Sequence, residues 1–253
     1  MNDKNIEKNR YDNRALKMLS NDFFSKDNGS SSYPHLIRSP YLRYEAAHVE
    51  FINNNDNVLE IGAGTGIHTH SLLKTGAFVV ATDISPNSIQ IVKEKYKEFS
   101  EKLSTKVADM ELLPFKNETF DVVCSAGSLS YGNNQIVMNE IYRVLKPGGR
   151  VIIVDSLHEN PIYIINRWIS YFRGHRSLST IKCMPTLRLI KQYGNKFCLK
   201  KLDFFGSLTW LTPILIFFLR KELVNKFSDR FDRLINIKRS AFKFVAVFYK
   251  NKF

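Results

Sequence analysis

The stretch Val58-Leu59-Glu60-Ile61-Gly62-Ala63-Gly64-Thr65-Gly66 constrains this chain more than any other. A short apolar strand there runs into a turn whose three alternating glycines allow conformations, and a close approach to a ligand, that a Cβ would block. The next apolar run, Phe78-Val79-Val80-Ala81-Thr82-Asp83, ends in a carboxylate. An acid about twenty residues after a glycine turn is where a nucleotide cofactor's ribose hydroxyls would sit. Taken singly, each glycine reads as a tight turn and each acid as a solvated strand end. Only the pair points to a cofactor.

The spacing admits two cofactor classes. The dinucleotide fingerprint is GxGxxG, and at its third glycine position this chain has Ile67. The turn here is GxGxG with Glu60 two residues ahead of it, and that form resembles motif I of the class I S-adenosylmethionine-dependent methyltransferases. Further segments follow in that family's order. Asn87 to Tyr96 after Pro86 reads as a packing helix. Lys106-Val107-Ala108-Asp109-Met110 places an acid at a strand end, ahead of a Pro114-Phe115 turn. Phe120 to Ser128 resembles the fourth strand and its loop. Glu140 to Asp155 has the helix, the Lys146-Pro147-Gly148-Gly149 turn and the fifth strand.

The resemblance covers roughly residues 40 to 155. It implies an α/β, Rossmann-like seven-stranded sheet with helices on both faces and an antiparallel last strand, and S-adenosylmethionine as cofactor. Residue by residue, it carries cofactor-binding roles to Glu60, Gly62, Gly64 and Gly66, to Asp83 and Ile84, to Asp109 and Met110 beside the adenine, and to Ser125 at the methionine end. The loop after the fourth strand lacks the Asn/Asp-Pro-Pro-aromatic run of enzymes that methylate amino groups of flipped DNA bases.

Composition bounds the remainder. A chain of 253 residues with 44% hydrophobic content can bury one substantial core. Cys124, Cys183 and Cys198 show no ligand or CxxC spacing, no His/Asp/Glu cluster suggests a metal, and the N-terminus is polar rather than a signal peptide. A cytoplasmic setting is the simplest expectation, with peripheral attachment at the inner membrane face left open. Residues 1–150 carry 18 Lys+Arg against 18 Asp+Glu, whereas residues 151–253 carry 19 against 6. All of the +13 charge therefore lies in the last two-fifths, with Trp168 and Trp210. A basic, aromatic segment suits an anionic partner or a membrane surface. The cofactor half is neutral and no RNA-binding motif is appended, which argues against nucleic acid.

Residues 1–51 are read as an N-terminal tail and lid helices, with a short helix suggested around Leu16, Leu19 and Phe23 and a second over Tyr33 to Phe51. Residues 52–253 form the methyltransferase domain, with strand six over Phe197 to Phe205, strand seven over Ala241 to Tyr249, and insertions at 157–195 and 206–240. Within the second insertion, Leu208 to Leu219 is apolar but shorter than the ~20 residues a bilayer-spanning helix needs. Leu223, Phe227, Phe231 and Leu234 then recur at amphipathic spacing. An Asn160-Pro161 step and Asp232-Arg233-Leu234-Ile235 give a weaker resemblance to methyltransferases of polysaccharide and lipid-linked glycan pathways.

The expected activity is methyl transfer to a small-molecule acceptor, a hydroxyl of a sugar or lipid-linked glycan first. An isoprenoid quinone or other membrane metabolite stands as the alternative acceptor, and a non-catalytic cofactor-binding protein as the alternative class. An alcohol acceptor must lose a proton, and Asp155 and His158, just past strand five, are the expected catalytic residues. His68 is a lesser candidate for the cofactor pocket.

Overall fold

The computed structural model describes residues 3–20, 29–33, 35–207, 230 and 237–252. Seven strands form one sheet: β1 (Asn57–Ile61), β2 (Phe78–Asp83), β3 (Leu103–Val107), β4 (Phe120–Ala126), β5 (Leu145–Ser156), β6 (Cys198–Phe205) and β7 (Lys243–Tyr249). Their order is β3-β2-β1-β4-β5-β7-β6. β1 to β5 pair in parallel, and β7 runs antiparallel between β5 and β6. This is the Rossmann-like methyltransferase sheet that the motifs imply.

Alternation along the central strands feeds two cores, because successive side chains point to opposite faces. In β5, Val151 and Ile153 join Leu59, Ile61, Val123 and Phe248 on one face. Ile152 and Val154 join Val58, Val79, Val122 and Val247 on the other. Burial on both faces explains why these strands read as continuous apolar runs.

Helices cover each face. α2 (His35–Phe51), α3 (Thr69–Leu73) and α4 (Pro86–Lys95) supply Tyr44, Leu72 and Val92 to the second core. α5 (Asn134–Val144) and α8 (Leu187–Lys196) supply Ile141 and Tyr193 to the first. Their starts follow local chemistry: the Ser85 hydroxyl accepts from the Ser88 amide just after Pro86, and the Asn133 side-chain oxygen accepts from the Gln135 and Ile136 amides. α6 (Pro161–Phe172) and α7 (Ser179–Lys182) lie in the insertion after β5.

Register sets the site. Ile61 lies beside Thr82 of β2 and Ser125 of β4, so three strands end side by side where the order reverses around β1. Ligands bind in the crevice outside such a switch point.

Two expectations need adjustment, and a third falls outside the described residues. Residues 3–20 are a full helix, α1 (Asp3–Ser20), rather than a tail with a short helical patch, and α1 packs against α4. Phe197 caps α8 and is buried, so β6 begins one residue later than expected. The apolar run Leu208 to Leu219, Trp210 and the amphipathic pattern through Leu234 lie outside the described residues, apart from Arg230.

Candidate cofactor and acceptor cleft

A cavity of about 270 Å³ opens over the strand ends. The glycine turn after β1 forms its floor. Gly62, Gly64 and Gly66 all have positive φ, at 66°, 54° and 76°. A Cβ on Gly62 would lie 2.4 Å from that of Ser128, so the loop after β4 closes flush against this turn. A Cβ on Gly64 would meet nothing within 4 Å, which leaves its backbone facing open cleft. Gly66 serves packing instead. Its carbonyl accepts from the Tyr96 hydroxyl at 2.6 Å, a Cβ there would strike the Tyr96 ring, and it does not line the cleft.

Asp83 closes the turn from β2. One of its carboxylate oxygens accepts from the Gly64 amide at 2.9 Å and the other from the Ser85 amide at 2.9 Å. Burial raises its pKa against the pull of these amides. Glu60 is buried at the back, where its carboxylate accepts from the Thr69 hydroxyl at 2.6 Å, and burial pushes its pKa up to about 7. Asp109 stands just past β3, its side chain accepting from the Glu111 amide at 2.9 Å. Ile84 and Met110 line the same cavity. Ser125 does not; buried behind the wall, it shares a 2.6 Å hydrogen bond with Ser128. A bare backbone floor, a ribose-height acid and a second acid beyond β3 fit S-adenosylmethionine.

α1 lies across this opening and is tied down on both sides. Lys4 pairs with Asp109, and with Glu111 at 2.9 Å. Asp12 accepts from the Ser85 hydroxyl at 2.6 Å and the Asn87 amide at 3.3 Å. On the opposite side Glu7, itself buried, accepts from the Ser177 amide and hydroxyl at 3.0 and 2.9 Å. Asp3 takes the Ser179 amide at 3.0 Å.

The far end of the cleft is aromatic. Tyr33 and Tyr41 stack at 3.6 Å between ring centres, and the Tyr33 hydroxyl lies 3.1 Å from Nε2 of His68. Tyr11 of α1 donates to the Tyr131 hydroxyl at 2.7 Å, which also accepts from Arg176 at 3.0 Å. Burial opposes ionisation of Tyr131, but Arg176, the Tyr11 hydrogen bond and Arg10 together hold its phenol below the usual value. His68 lines the cavity at the start of α3, and burial lowers its pKa against the raising pull of Glu45.

Of the two expected catalytic residues, His158 follows β5 as expected and Asp155 does not. Asp155 lies within β5, not past it, and is 1% exposed. Its carboxylate accepts from the Leu129 amide at 2.9 Å and the Ser156 amide at 2.6 Å, holding the loop that carries Tyr131. Burial raises its pKa against the nearby charge of Lys243. His158 donates its amide to the Pro185 carbonyl at 2.8 Å. Neither side chain lines the cavity. Sequence reasoning missed Tyr11, Tyr33, Tyr41 and Tyr131, four of eleven tyrosines, for which no spacing gave a signal. Only Tyr131, three residues after Ser128 in the loop following β4, stood where a signal could have been sought.

Among the described residues no cluster of His, Cys, Asp and Glu could hold a metal ion, and no helix is long and apolar enough to cross a membrane.

Residues 59–153 match the family model of a methyltransferase domain. The sheet order and the cleft built around that stretch accord with the match. The chain is 32% identical over 123 residues to a demethylmenaquinone methyltransferase of Tropheryma whipplei strain Twist, covering 48% of this chain and 51% of that one. It is 37% identical over 112 residues to the sterol 4-C-methyltransferase strm-1 of Caenorhabditis elegans, covering 43% and 34%. The chain thus spans about half the length, or less, of these relatives. Among solved structures, geranyl diphosphate C-methyltransferase from Streptomyces coelicolor A3(2), in complex with Mg2+, geranyl diphosphate and S-adenosyl-L-homocysteine, superposes with a TM-score of 0.60 at 16% identity, covering 85% of this chain and 80% of that one. The cyclase SpnF superposes at 0.62 with 14% identity, over 96% and 93%. At such identities the likeness concerns the fold alone.

Proposed function

We propose that this chain transfers the methyl group of S-adenosylmethionine to an apolar small-molecule acceptor of the isoprenoid-quinone kind. The carrying observation is the continuity of the cleft: the bare Gly64 floor and the Asp83 carboxylate lead directly to a wall of four tyrosines under α1. Aromatic faces suit a flat apolar ring better than a sugar. The names of the demethylmenaquinone relatives support the quinone reading over the glycan hydroxyl.

When bound, the cofactor supplies an electrophilic methyl on a positive sulfonium. The chain's part is to hold the acceptor in line with the carbon–sulfur bond, and orientation of that kind is worth roughly 7–11 kcal/mol at its limit. α1 and the loop after β4 enclose the acceptor and exclude water. A quinol becomes nucleophilic as its hydroxyl loses a proton, and the Tyr131 oxygen, held by Tyr11 at 2.7 Å and Arg176 at 3.0 Å, is the group in the cleft that would receive it when ionised. Asp155 acts through its grip on the Leu129 amide as a positioning residue.

The test is transfer of labelled methyl to a short-chain demethylated naphthoquinol, compared with a glycan hydroxyl acceptor. Label in the quinol alone supports the reading; label in the glycan alone overturns the acceptor class; label in neither overturns methyl transfer to both. Removing Tyr131's hydroxyl as Tyr131→Phe should slow transfer by about 10²- to 10⁴-fold, the usual contribution of a general base.

A further inference from the structure

α6 is built inside out. Its inward positions hold Tyr163 and Arg167, with Arg167 only 7% exposed, its guanidinium donating to the Tyr163 hydroxyl, which in turn meets Ser156 at the end of β5 at 2.9 Å. Its outward positions hold Ile162, Ile165, Trp168, Ile169 and Phe172, all exposed, with Ile165 at 58% and Phe172 at 78%. These recur three or four residues apart and so form one continuous apolar stripe. A contiguous apolar stripe turned to solvent marks a surface awaiting a partner.

We propose that this outer face of α6 seats the protein in the headgroup layer of an anionic lipid membrane. Charge selects that occupant. From Asn160 to Leu202 the chain carries nine Lys and Arg residues and no Asp or Glu. Arg173 and His175, both exposed, follow the apolar stripe immediately. Apolar side chains followed by exposed cations are the composition of a helix lying in an anionic interface. A second copy of this chain packed on this face would bring the exposed Arg173 and His175 against their own counterparts. The aromatic grouping at the end of the stripe, where Trp168 lies 5.9 Å from Tyr171 and 6.0 Å from Phe172, puts amphipathic rings at the level where water and acyl chains meet.

The seat goes beyond the proposed methyl transfer and stands without it. If that reading also holds, α6 separates the bilayer from the Tyr163–Ser156 end of the sheet, so a membrane-dissolved acceptor would arrive across this helix.

The experiment uses the full chain and vesicles of phosphatidylcholine mixed with phosphatidylglycerol, against vesicles of phosphatidylcholine alone. Sedimentation should show binding to the anionic vesicles, weakened by salt. Ile165→Ser combined with Phe172→Ser should weaken it at least about tenfold, since each change removes an apolar side chain from lipid. Both side chains are exposed, and unchanged S-adenosylhomocysteine binding by the double variant shows that the fold and the cofactor site survive. A Trp210→Phe variant leaves Trp168 as the sole tryptophan, and its emission should shift to the blue on anionic vesicles. Absence of vesicle binding, equal binding by the double variant, or an unshifted Trp168 would overturn the proposal. So would self-association in the absence of lipid that the double variant abolishes, because the face would then belong to a second copy. Loss of label transfer with intact vesicle binding would instead count against the methyl-transfer reading alone.

Discussion

The amide of Gly64 and the carboxylate of Asp83 meet at 2.9 Å, so the turn after β1 and the end of β2 act as one unit. Gly64 holds φ at +54° beneath open cleft. Gly64→Val should therefore act twice, straining a left-handed position by about 1–2 kcal/mol and placing a branched side chain where the cofactor backbone would lie. Calorimetric titration with S-adenosylhomocysteine should show affinity lower by roughly a hundredfold or more, equivalent to about 2.7 kcal/mol. Asp109→Ala should weaken the same titration. Retained affinity in both variants would show that the site is misassigned.

α1 crosses the cleft through Lys4, which pairs with Asp109 and Glu111. These groups are about one-quarter to one-third exposed, so the pair itself is worth no more than about 1 kcal/mol. Lys4→Glu turns attraction into repulsion against two carboxylates. Stopped-flow release of S-adenosylhomocysteine should speed up by several-fold, while thermal unfolding moves little. An unchanged release rate would mean that α1 does not gate the cofactor.

Glu60 supplies a pH signature. Its folded pKa, pushed up to about 7 by burial, lies above the ordinary carboxylate value, so the native state favours its protonated form. The stability this contributes is fully present below about pH 4.5 and is lost progressively as pH rises to about 7. Glu60→Gln should remove that loss and gain up to a few kcal/mol relative to wild type above pH 7, with no gain at pH 4. His48 and His68 act oppositely: burial lowers both, so they cost stability as pH falls below their ordinary range. Urea denaturation across pH 4–8 separates the two. Parallel curves for wild type and Glu60→Gln would contradict the assignment.

Asp155 answers two buried backbone amides and sits near the Lys243 and Arg167 charges. Asp155→Ala leaves those cations without a neighbouring acid and should destabilise the fold by roughly 3–5 kcal/mol. As a positioning residue it should leave the shape of the pH–rate profile to Tyr131. A rate loss in Asp155→Asn with unaltered stability and a shifted pH profile would restore it as a proton acceptor.

The cofactor half was legible because backbone chemistry writes itself into sequence: Gly62, Gly64 and Gly66 mark positive φ, Asp83 ends the apolar run of β2, and Asp109 follows β3 by two residues. The acceptor half was not. Tyr11 and Tyr131 are 120 residues apart and meet only when α1 folds back over the cleft. Asp155 looked like a rim residue because β5 extends to Ser156, two residues beyond the apolar run that ends at Val154. Gly66 and Ser125 fit the motif by position, yet serve packing against Tyr96 and Ser128. The helical spacing of α6 was readable, but its inversion is visible only once Arg167 is seen to face the sheet.

The most direct test of the central claim is calorimetric titration of the full chain with S-adenosylmethionine, with reduced nicotinamide dinucleotide as control. Micromolar binding of S-adenosylmethionine alone is the predicted result. Binding of neither ligand, or of the dinucleotide alone, would contradict the account of the cleft.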